Sequence, residues 1–394
     1  MKKVYLDYSA TTPVDERVFE AMKPYFTEMF GNANSLHCFG RDGAAAVDTA
    51  RRKIADLLKV KPTEIYFTSG GTEGDNWAIK GIANAYSKKG NHVIVSSIEH
   101  PAVLNSAKQL ESRGFKVTYL PVDSGGIVHP ETLEAAITDD TVLVSVMTAN
   151  NEIGSIQPIK ELCKIAHAHG ALFHTDAVQA MGSIPVDIKD LKVDLLTFSA
   201  HKFYGPKGIG VLYIRSGVKP DKLVCGGHQE RSMRGGTTNV PEVVGLAKAL
   251  ELALGEMKSN SERIGKLRDY FVENIEKKVP YVVYNGDRKQ RLPQNANFAF
   301  EFIEGESLLL RLDMAGIACS SGSACSSGSL DPSHVLLATG LPVEKAHGSI
   351  RFSFGKYTTK DDVDYVIENV ISAVDSLRAM SPLFSEFKGE KHYV

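Results

Sequence analysis

Between about residues 43 and 215, short β-rich runs and helix-length stretches take turns along the chain. That alternation constrains the fold more than any other feature. The β-rich runs are Glu64–Phe67, His92–Ser96, Lys116–Leu120, Thr141–Met147, Ala171–His174, Asp194–Phe198 and Gly210–Ile214. Helical stretches such as Thr72–Tyr86, Pro101–Arg113 and Ile159–His169 separate most of them. Gly43–Val60 comes first and puts Val47, Ala50, Ile54, Leu57 and Leu58 on one face. Side chains repeat every two residues along a strand and about every 3.6 along a helix, so the change of period marks the change of element. Strands that alternate with helices build βαβ units, whose crossovers keep neighbouring strands parallel and cover both faces of the sheet. The expectation is an α/β fold in which one large doubly wound domain holds a mostly parallel sheet of about seven strands.

The texture changes after about residue 255. Ile264, Leu267, Phe271 and Ile275 predict a helix, Tyr281–Tyr284, Asn295–Glu301 and Ser349–Phe354 predict strands, and Asp361–Arg378 predicts a last amphipathic helix. This pattern predicts a smaller α+β domain. The one biased stretch is Ser320–Ser329, with six serines and two glycines, a composition that predicts a flexible loop.

Charge and apolar runs exclude several classes of function. Against 47 Asp and Glu stand 45 Lys and Arg, a net charge of −2, so nothing draws the chain as a whole to nucleic acid or to an anionic membrane. No apolar run approaches the ~18–20 residues that span a bilayer, and the opening MKKVYLDYSATT is no signal peptide. Five cysteines, 38, 163, 225, 319 and 325, are odd in number and form no C-x-x-C pair. This predicts a reducing cytoplasm and neither a disulfide scaffold nor a zinc ribbon. Cys38 beside His37, and Cys225 three residues before His228, lack a second pair, so no metal is expected there.

Chemistry concentrates where strands end. Ser199-Ala200-His201-Lys202 follows one strand, and His174-Thr175-Asp176-Ala177-Val178-Gln179 ends another 26 residues earlier. Open α/β sheets bind ligands at the carboxyl ends of their strands. A lysine and an acid there are what pyridoxal phosphate requires: the amine for a Schiff base and the carboxylate to keep the ring nitrogen protonated. Thr68-Ser69-Gly70-Gly71-Thr72-Glu73 joins a strand to a helix, with bare glycine backbone and helix N–H groups suited to an anion. It is no P-loop, since no Gly-Lys-Ser/Thr follows. Gly205-Pro206-Lys207-Gly208 reads as a turn. His100, in Ser97-Ile98-Glu99-His100-Pro101, is by itself a helix cap, and in a pyridoxal site it could lie on the ring face and move protons.

Together with YLDYSATT (5–12), ANNEIG (149–154), RGGTTNV (234–240), SGSACSSGS (321–329) and IRFSFG (350–355), these motifs resemble, in the same order over nearly the whole chain, the cysteine desulfurases of the NifS/IscS type. The resemblance implies pyridoxal 5'-phosphate as cofactor and the aspartate aminotransferase fold (fold type I). It implies a large domain over 16–255, and a small one from 1–15 and 256–394 that carries the Cys325 loop. It implies conversion of L-cysteine to L-alanine, with the sulfur left as a persulfide for an iron–sulfur scaffold or another acceptor, tRNA thiolation being a further outlet. By the same resemblance Lys202 is the Schiff-base lysine, Asp176 the partner of the ring nitrogen, Gln179 the donor to the ring hydroxyl and His100 the stacking acid/base. Gly71, Thr72, Ser199 and His201 match the phosphate cradle. Thr237 matches a phosphate contact supplied by the second subunit of a homodimer. Asn151 and Arg351 match the groups that bind the substrate carboxylate, a task that suits a guanidinium fork. Cys325 matches the persulfide-forming nucleophile.

Cys319 follows the apolar stretch 315–318 and is expected to be a buried structural thiol, whereas Cys325 lies in the Ser/Gly loop. The long form of that loop, followed by Leu330-Asp331-Pro332, favours the housekeeping or nitrogen-fixation branch. A selenocysteine lyase, a pyridoxal aminotransferase and a non-catalytic assembly scaffold stay open as alternatives.

Overall fold

The computed structural model describes residues 2–321 and 332–389. Its seven-stranded sheet is built from β2 (Ile65–Thr68), β3 (His92–Ser96), β4 (Lys116–Leu120), β5 (Thr141–Ser145), β6 (Leu172–Asp176), β7 (Leu195–Ser199) and β8 (Gly210–Ile214), after a short N-terminal β1 (Val4–Tyr5). The order is β2-β8-β7-β6-β5-β3-β4. Every pair from β7 through to β4 is parallel, and β8 runs antiparallel to both β2 and β7. Strands β3, β5, β7 and β8 are buried residue by residue, as a sheet covered by helices on both faces requires.

Beyond the sheet, β9 (Val282–Tyr284), β10 (Asn295–Phe300) and β12 (Ser349–Ser353) form an antiparallel sheet in the order β12-β10-β9, and β1 pairs in parallel with β11 (Ile317–Ala318). A separate apolar core fills this region, with Phe271, Phe298, Phe352 and Phe354 at its centre and Val4 and Leu6 joined to it. The helix Val240–Lys278 runs unbroken for 39 residues through the 255/256 division read from the sequence. Its first half buries Val243, Leu246 and Leu250 against the sheet domain's core, and its second half buries Ile264, Phe271 and Ile275 in the other core. Among the described residues no helix is long and apolar enough to cross a membrane.

Element ends differ modestly from the expectations. The first long helix begins at Cys38, not Gly43, because the His37 ring accepts from the Gly40 amide and caps it. Sheet pairing carries β6 on to Asp176 and β7 on to Ser199. Gly210, opposite Ser199, has no room for a side chain, since a Cβ there would lie 2.8 Å from Phe198 O. Periodicity did not announce Gly305–Met314 or Pro130–Ala136, two shorter helices.

Candidate active site

Five strand ends converge on one cavity of about 290 Å³. Lys202 follows β7 in a single 3-10 turn, Ala200–Lys202, which aims the ammonium at the segment crossing from β1. Lys202 Nζ donates to Ser9 O at 2.6 Å and to Ala10 O at 2.8 Å. Gln179 Nε2 donates to the same Ser9 carbonyl at 3.0 Å. Asp176 closes β6, is 6% exposed, and accepts from Val178 N at 2.8 Å. Burial lifts its carboxyl above the ordinary range, against the pull of the Val178 amide and the Lys202 charge.

Gly71 and Thr72 open the helix Gly71–Ala85 at the cavity wall, and Ser199 and His201 lie across from them. Gly70, just before, holds φ +151°, a backbone geometry that side-chain-bearing residues rarely adopt. A fifteen-residue helix therefore presents free N–H groups and its positive end to the cavity, as an anion requires. His201 Nδ1 lies 3.1 Å from Thr11 Oγ1, and burial pushes its ring down to about 4, so it is neutral.

His100 both caps and lines the site. Its Nδ1 accepts from Ala102 N at 3.1 Å at the start of the helix Pro101–Glu111. Burial pushes the ring down to about 4, with Lys202 and His334 adding to the shift. The neutral ring with Nδ1 accepting carries its hydrogen on Nε2. To take up a proton, Nδ1 must give up the capping bond.

Arg351, on β12, is 4% exposed. It donates through Nη1 to Asn151 O at 2.9 Å and through Nη2 to Asp7 Oδ1 at 2.9 Å, while its buried Nε has no partner among the described residues. Asn151 stands beside it on the cavity wall. Ser320 exchanges backbone hydrogen bonds with Arg351. On the far side of the undescribed segment, Ser333 Oγ donates to Glu152 Oε2, and His334 Nε2 lies 3.0 Å from Glu99 O. Cys325 lies outside the described residues, but both flanks of its segment are tied to residues around the cavity.

Thr237 is exposed and is not among the residues lining this cavity. Cys319 is partly buried against the second core, where burial raises its thiol. Gly205–Gly208 is an irregular turn. His167 pairs with Asp194 and His169 with Glu134, so the two rings serve separate partners. Among the described residues no three or more His, Cys, Asp or Glu gather as metal ligands.

Two buried acids carry no sequence signal that singles them out. Asp75 lines the cavity at 1% exposure, with Oδ1 unpartnered and 3.7 Å from His174 Nε2. That histidine cannot neutralise it, because burial holds the ring at about 3. Burial together with the negative charge of Asp176 raises Asp75, so of the two acids Asp75 keeps the proton. Glu99 is fully buried and accepts from Met147 N at 2.8 Å and from Ser96 Oγ. No composition or period separates such residues from ordinary surface acids. Only their burial by other elements does.

Glu99 carries a stability consequence. Its carboxyl is raised from 4.5 to about 8 by burial, with the Asp176 charge adding. Its stabilising contribution is full below the unfolded value and fades as the pH climbs toward the folded one, because only the unfolded chain has released the proton. The Glu99 contribution to apoprotein stability is therefore expected to fall between about pH 5 and 8, by up to about 1.4 kcal/mol per pH unit, on top of the opposing titration of the buried histidines. Glu99→Gln, neutral throughout, should flatten that fall. Denaturant melts across the range check this, and an unchanged slope in the variant would remove Glu99 as the cause.

The chain has relatives in sequence and in fold. Residues 4–366 match the family described as Aminotransferase class-V. A protein named cysteine desulfurase IscS from Methanosarcina thermophila is 56% identical over 382 residues, covering 97% of this chain and 94% of that one. Another of that name from Dictyoglomus turgidum is 54% identical, covering 99% of each. A solved structure titled NifS-like protein superposes with a TM-score of 0.90 at 41% identity, over 95% of this chain and all of that one. A structure titled SspA in complex with cysteine gives 0.81 at 37% identity, over 91% and 100%. With a lysine, a buried acid and a glycine turn at a helix start gathered at the strand ends, and relatives alike over nearly their full length, the chain belongs to the aminotransferase class-V family, among its cysteine desulfurases.

Proposed function

We propose that this chain takes the sulfur from L-cysteine, releases L-alanine, and hands the sulfur on as a persulfide of Cys325. One observation carries the reading: the Lys202 amine, the buried Asp176 carboxylate and the 70–72 anion turn share one cavity, and the flanks of the Cys325 segment are tied around it. These residues fit pyridoxal phosphate. Gly70 at φ +151° lays bare backbone beside the helix end where a phosphate would rest, and Asp176 is a buried acid available to a protonated ring nitrogen. When bound, the cofactor supplies an electron sink for charge that develops on the substrate's α-carbon.

The chain's own groups do the rest. Lys202 would anchor the cofactor, and its freed Nζ would take up the substrate's α-proton. Asp176 would keep the ring nitrogen protonated, Gln179 would donate to the ring hydroxyl, and Gly71, Thr72, Ser199 and His201 would hold the phosphate. His100 would lie against the ring face and serve as the proton carrier for the substrate thiol or the product. Arg351 and the Asn151 side chain bind the substrate carboxylate, for which the Arg351 Nε hydrogen is unspent. The Cys325 thiolate attacks the substrate sulfur, forming an S–S bond as the C–S bond breaks; the electron pair of that bond stays with the substrate's β-carbon, which takes up a proton to become the methyl group of alanine. An iron–sulfur scaffold or a tRNA-thiolation protein then takes the sulfur. A reducing cytoplasm suits a reaction that needs Cys325 as a free thiol.

The active unit is a homodimer with two composite sites. Thr237 lies outside its own cavity and completes the phosphate site of the second copy. Phe19, Phe26, Phe30, Leu36 and Phe39 are all at least half exposed, an apolar surface that a second copy would cover. Ala33 and Asn34, which lie between Phe30 and Leu36 in the chain, share a surface cavity with Thr238.

The test is an assay of the purified protein with L-cysteine. Equimolar alanine and sulfide are expected when a thiol reductant is present. A keto acid formed from cysteine in place of alanine overturns the reading in favour of an aminotransferase. Arg351→Ala should raise KM for cysteine about 10- to 100-fold, the loss of charge-assisted hydrogen bonds to a carboxylate.

A further inference from the structure

The loop that carries Thr237 is held by an arrangement that the reaction itself does not use. Glu230, Arg231 and Ser232 sit consecutively at φ +46°, +58° and +64°. Residues with a Cβ avoid this left-handed region, and three in a row persist only where the surroundings impose them. Contacts on both sides of the turn impose it. The Glu230 carboxylate takes both ends of the Arg51 fork, Oε1 from Nη2 at 2.6 Å and Oε2 from Nη1 at 2.9 Å, and Oε2 also accepts from Phe67 N at 2.9 Å. The Arg231 guanidinium lies 4.1 Å from the centre of the Tyr66 ring and donates to Ile65 O at 2.9 Å. Two residues past the turn, Arg234 makes a two-point contact with Glu73, at 2.8 and 2.9 Å, and Glu73 accepts from Ser69 N at 2.8 Å. The loop is thus fastened to β2 and to the anion turn that continues it. Thr237 follows three residues later, exposed and outside its own cavity.

We propose that Glu230, locked by Arg51 in this left-handed turn, is a positioning residue for the cofactor phosphate bound by a second copy of the chain, acting through Thr237. The proposal rests on the role assigned to Thr237 under the proposed function. The fork fixes where the loop leaves β2, and the Arg234–Glu73 contact fixes its heading toward the neighbour. A bidentate guanidinium–carboxylate pair sets an orientation that a single charge contact does not.

Apoprotein stripped with hydroxylamine is titrated with pyridoxal phosphate and with pyridoxal, which lacks the phosphate. Glu230→Gln should weaken pyridoxal phosphate binding about tenfold, the scale of one hydrogen bond to a charged group, and leave pyridoxal binding unchanged. Arg51→Lys breaks the same fork from the other side and should reproduce that split if Glu230→Gln folds poorly. Equal loss for both ligands, or a lowered melting point without phosphate-specific loss, overturns the proposal.

Mixed dimers locate the effect. When a Lys202→Ala chain is paired with a Glu230→Gln chain, the lysine-bearing site takes its Thr237 from the chain with Glu230 intact. Cofactor fixed there by borohydride should show wild-type affinity. Weak binding instead places the effect within one chain and defeats the proposal. Thr237→Ala separates the two claims. Wild-type affinity in that variant defeats the role given to Thr237, whereas a loss in Thr237→Ala beside an unaffected Glu230→Gln defeats this inference alone.

Discussion

Lys202→Ala is expected to yield a folded, colourless protein whose desulfurase turnover is down by about 10³-fold or more. Among the described residues the amine is the only lysine nitrogen lining the cavity, and the Ser9 and Ala10 carbonyls aim it there. On the proposed reading its loss removes both the covalent anchor of the cofactor and the base that moves the α-proton, and such coupled roles fail together. The visible absorption band should vanish, and borohydride should fix no cofactor at position 202. In the wild type the label should map to Lys202. A label found on Lys207, which lies in the nearby turn, would defeat the assignment. The variant should melt close to the wild-type apoprotein, because the carbonyls that accept from the ammonium can hydrogen-bond to water in its place.

Cys325→Ser should be at least as severe in turnover and opposite in spectrum. Without a thiolate at that position no S–S bond forms, so persulfide and alanine are expected to fall by about 10⁴-fold or more, the scale for removing a nucleophile or its partner. The cofactor, held by residues elsewhere, should stay bound, and adding cysteine should still shift the visible band. Cys319→Ser serves as the contrast. Burial raises the Cys319 thiol and so disfavours the thiolate that attack needs, and the residue packs against the second core. Its replacement should cost a little stability and leave persulfide formation intact. Normal desulfuration by Cys325→Ser would shift the nucleophile to another cysteine, and trapping the persulfide by alkylation would say which.

The parts of the site that lie at strand ends are legible in the sequence alone. Asp176, Lys202, Thr72 and His100 each follow a β-rich run within a few residues, and β-sheet geometry places every such end of a parallel sheet on one side. One helix cap is legible too: His100 precedes an expected helix and its ring accepts from a backbone amide, whereas His37 caps a helix that the sequence starts only at Gly43. The short helices escape, since seven to ten residues hold too few turns for a period to stand out, and their stability comes from packing. Asp75, Glu99, Ser9 and Glu230 escape for a different reason. Apart from Ser96 beside Glu99, their partners lie far away in sequence, and an acid destined for burial looks like any other acid until another element covers it.

The order of elements, their alternation and the residue types at strand ends are local properties, written in spacings of two to four residues, and they determined the α/β class and the lysine–acid–anion-turn chemistry. Tertiary structure decided what those spacings cannot encode. It brought Ser9 and Ala10 from the N-terminus onto Lys202, and Arg351 from β12 onto Asp7 and Asn151. It ran one helix through both cores, and it left Thr237 outside its own cavity. It also assigned the protons, leaving His100 and His201 neutral and lifting Asp75 above the ordinary carboxyl range. Charge states depend on desolvation and on neighbours supplied by distant segments, and neither exists until the chain has folded.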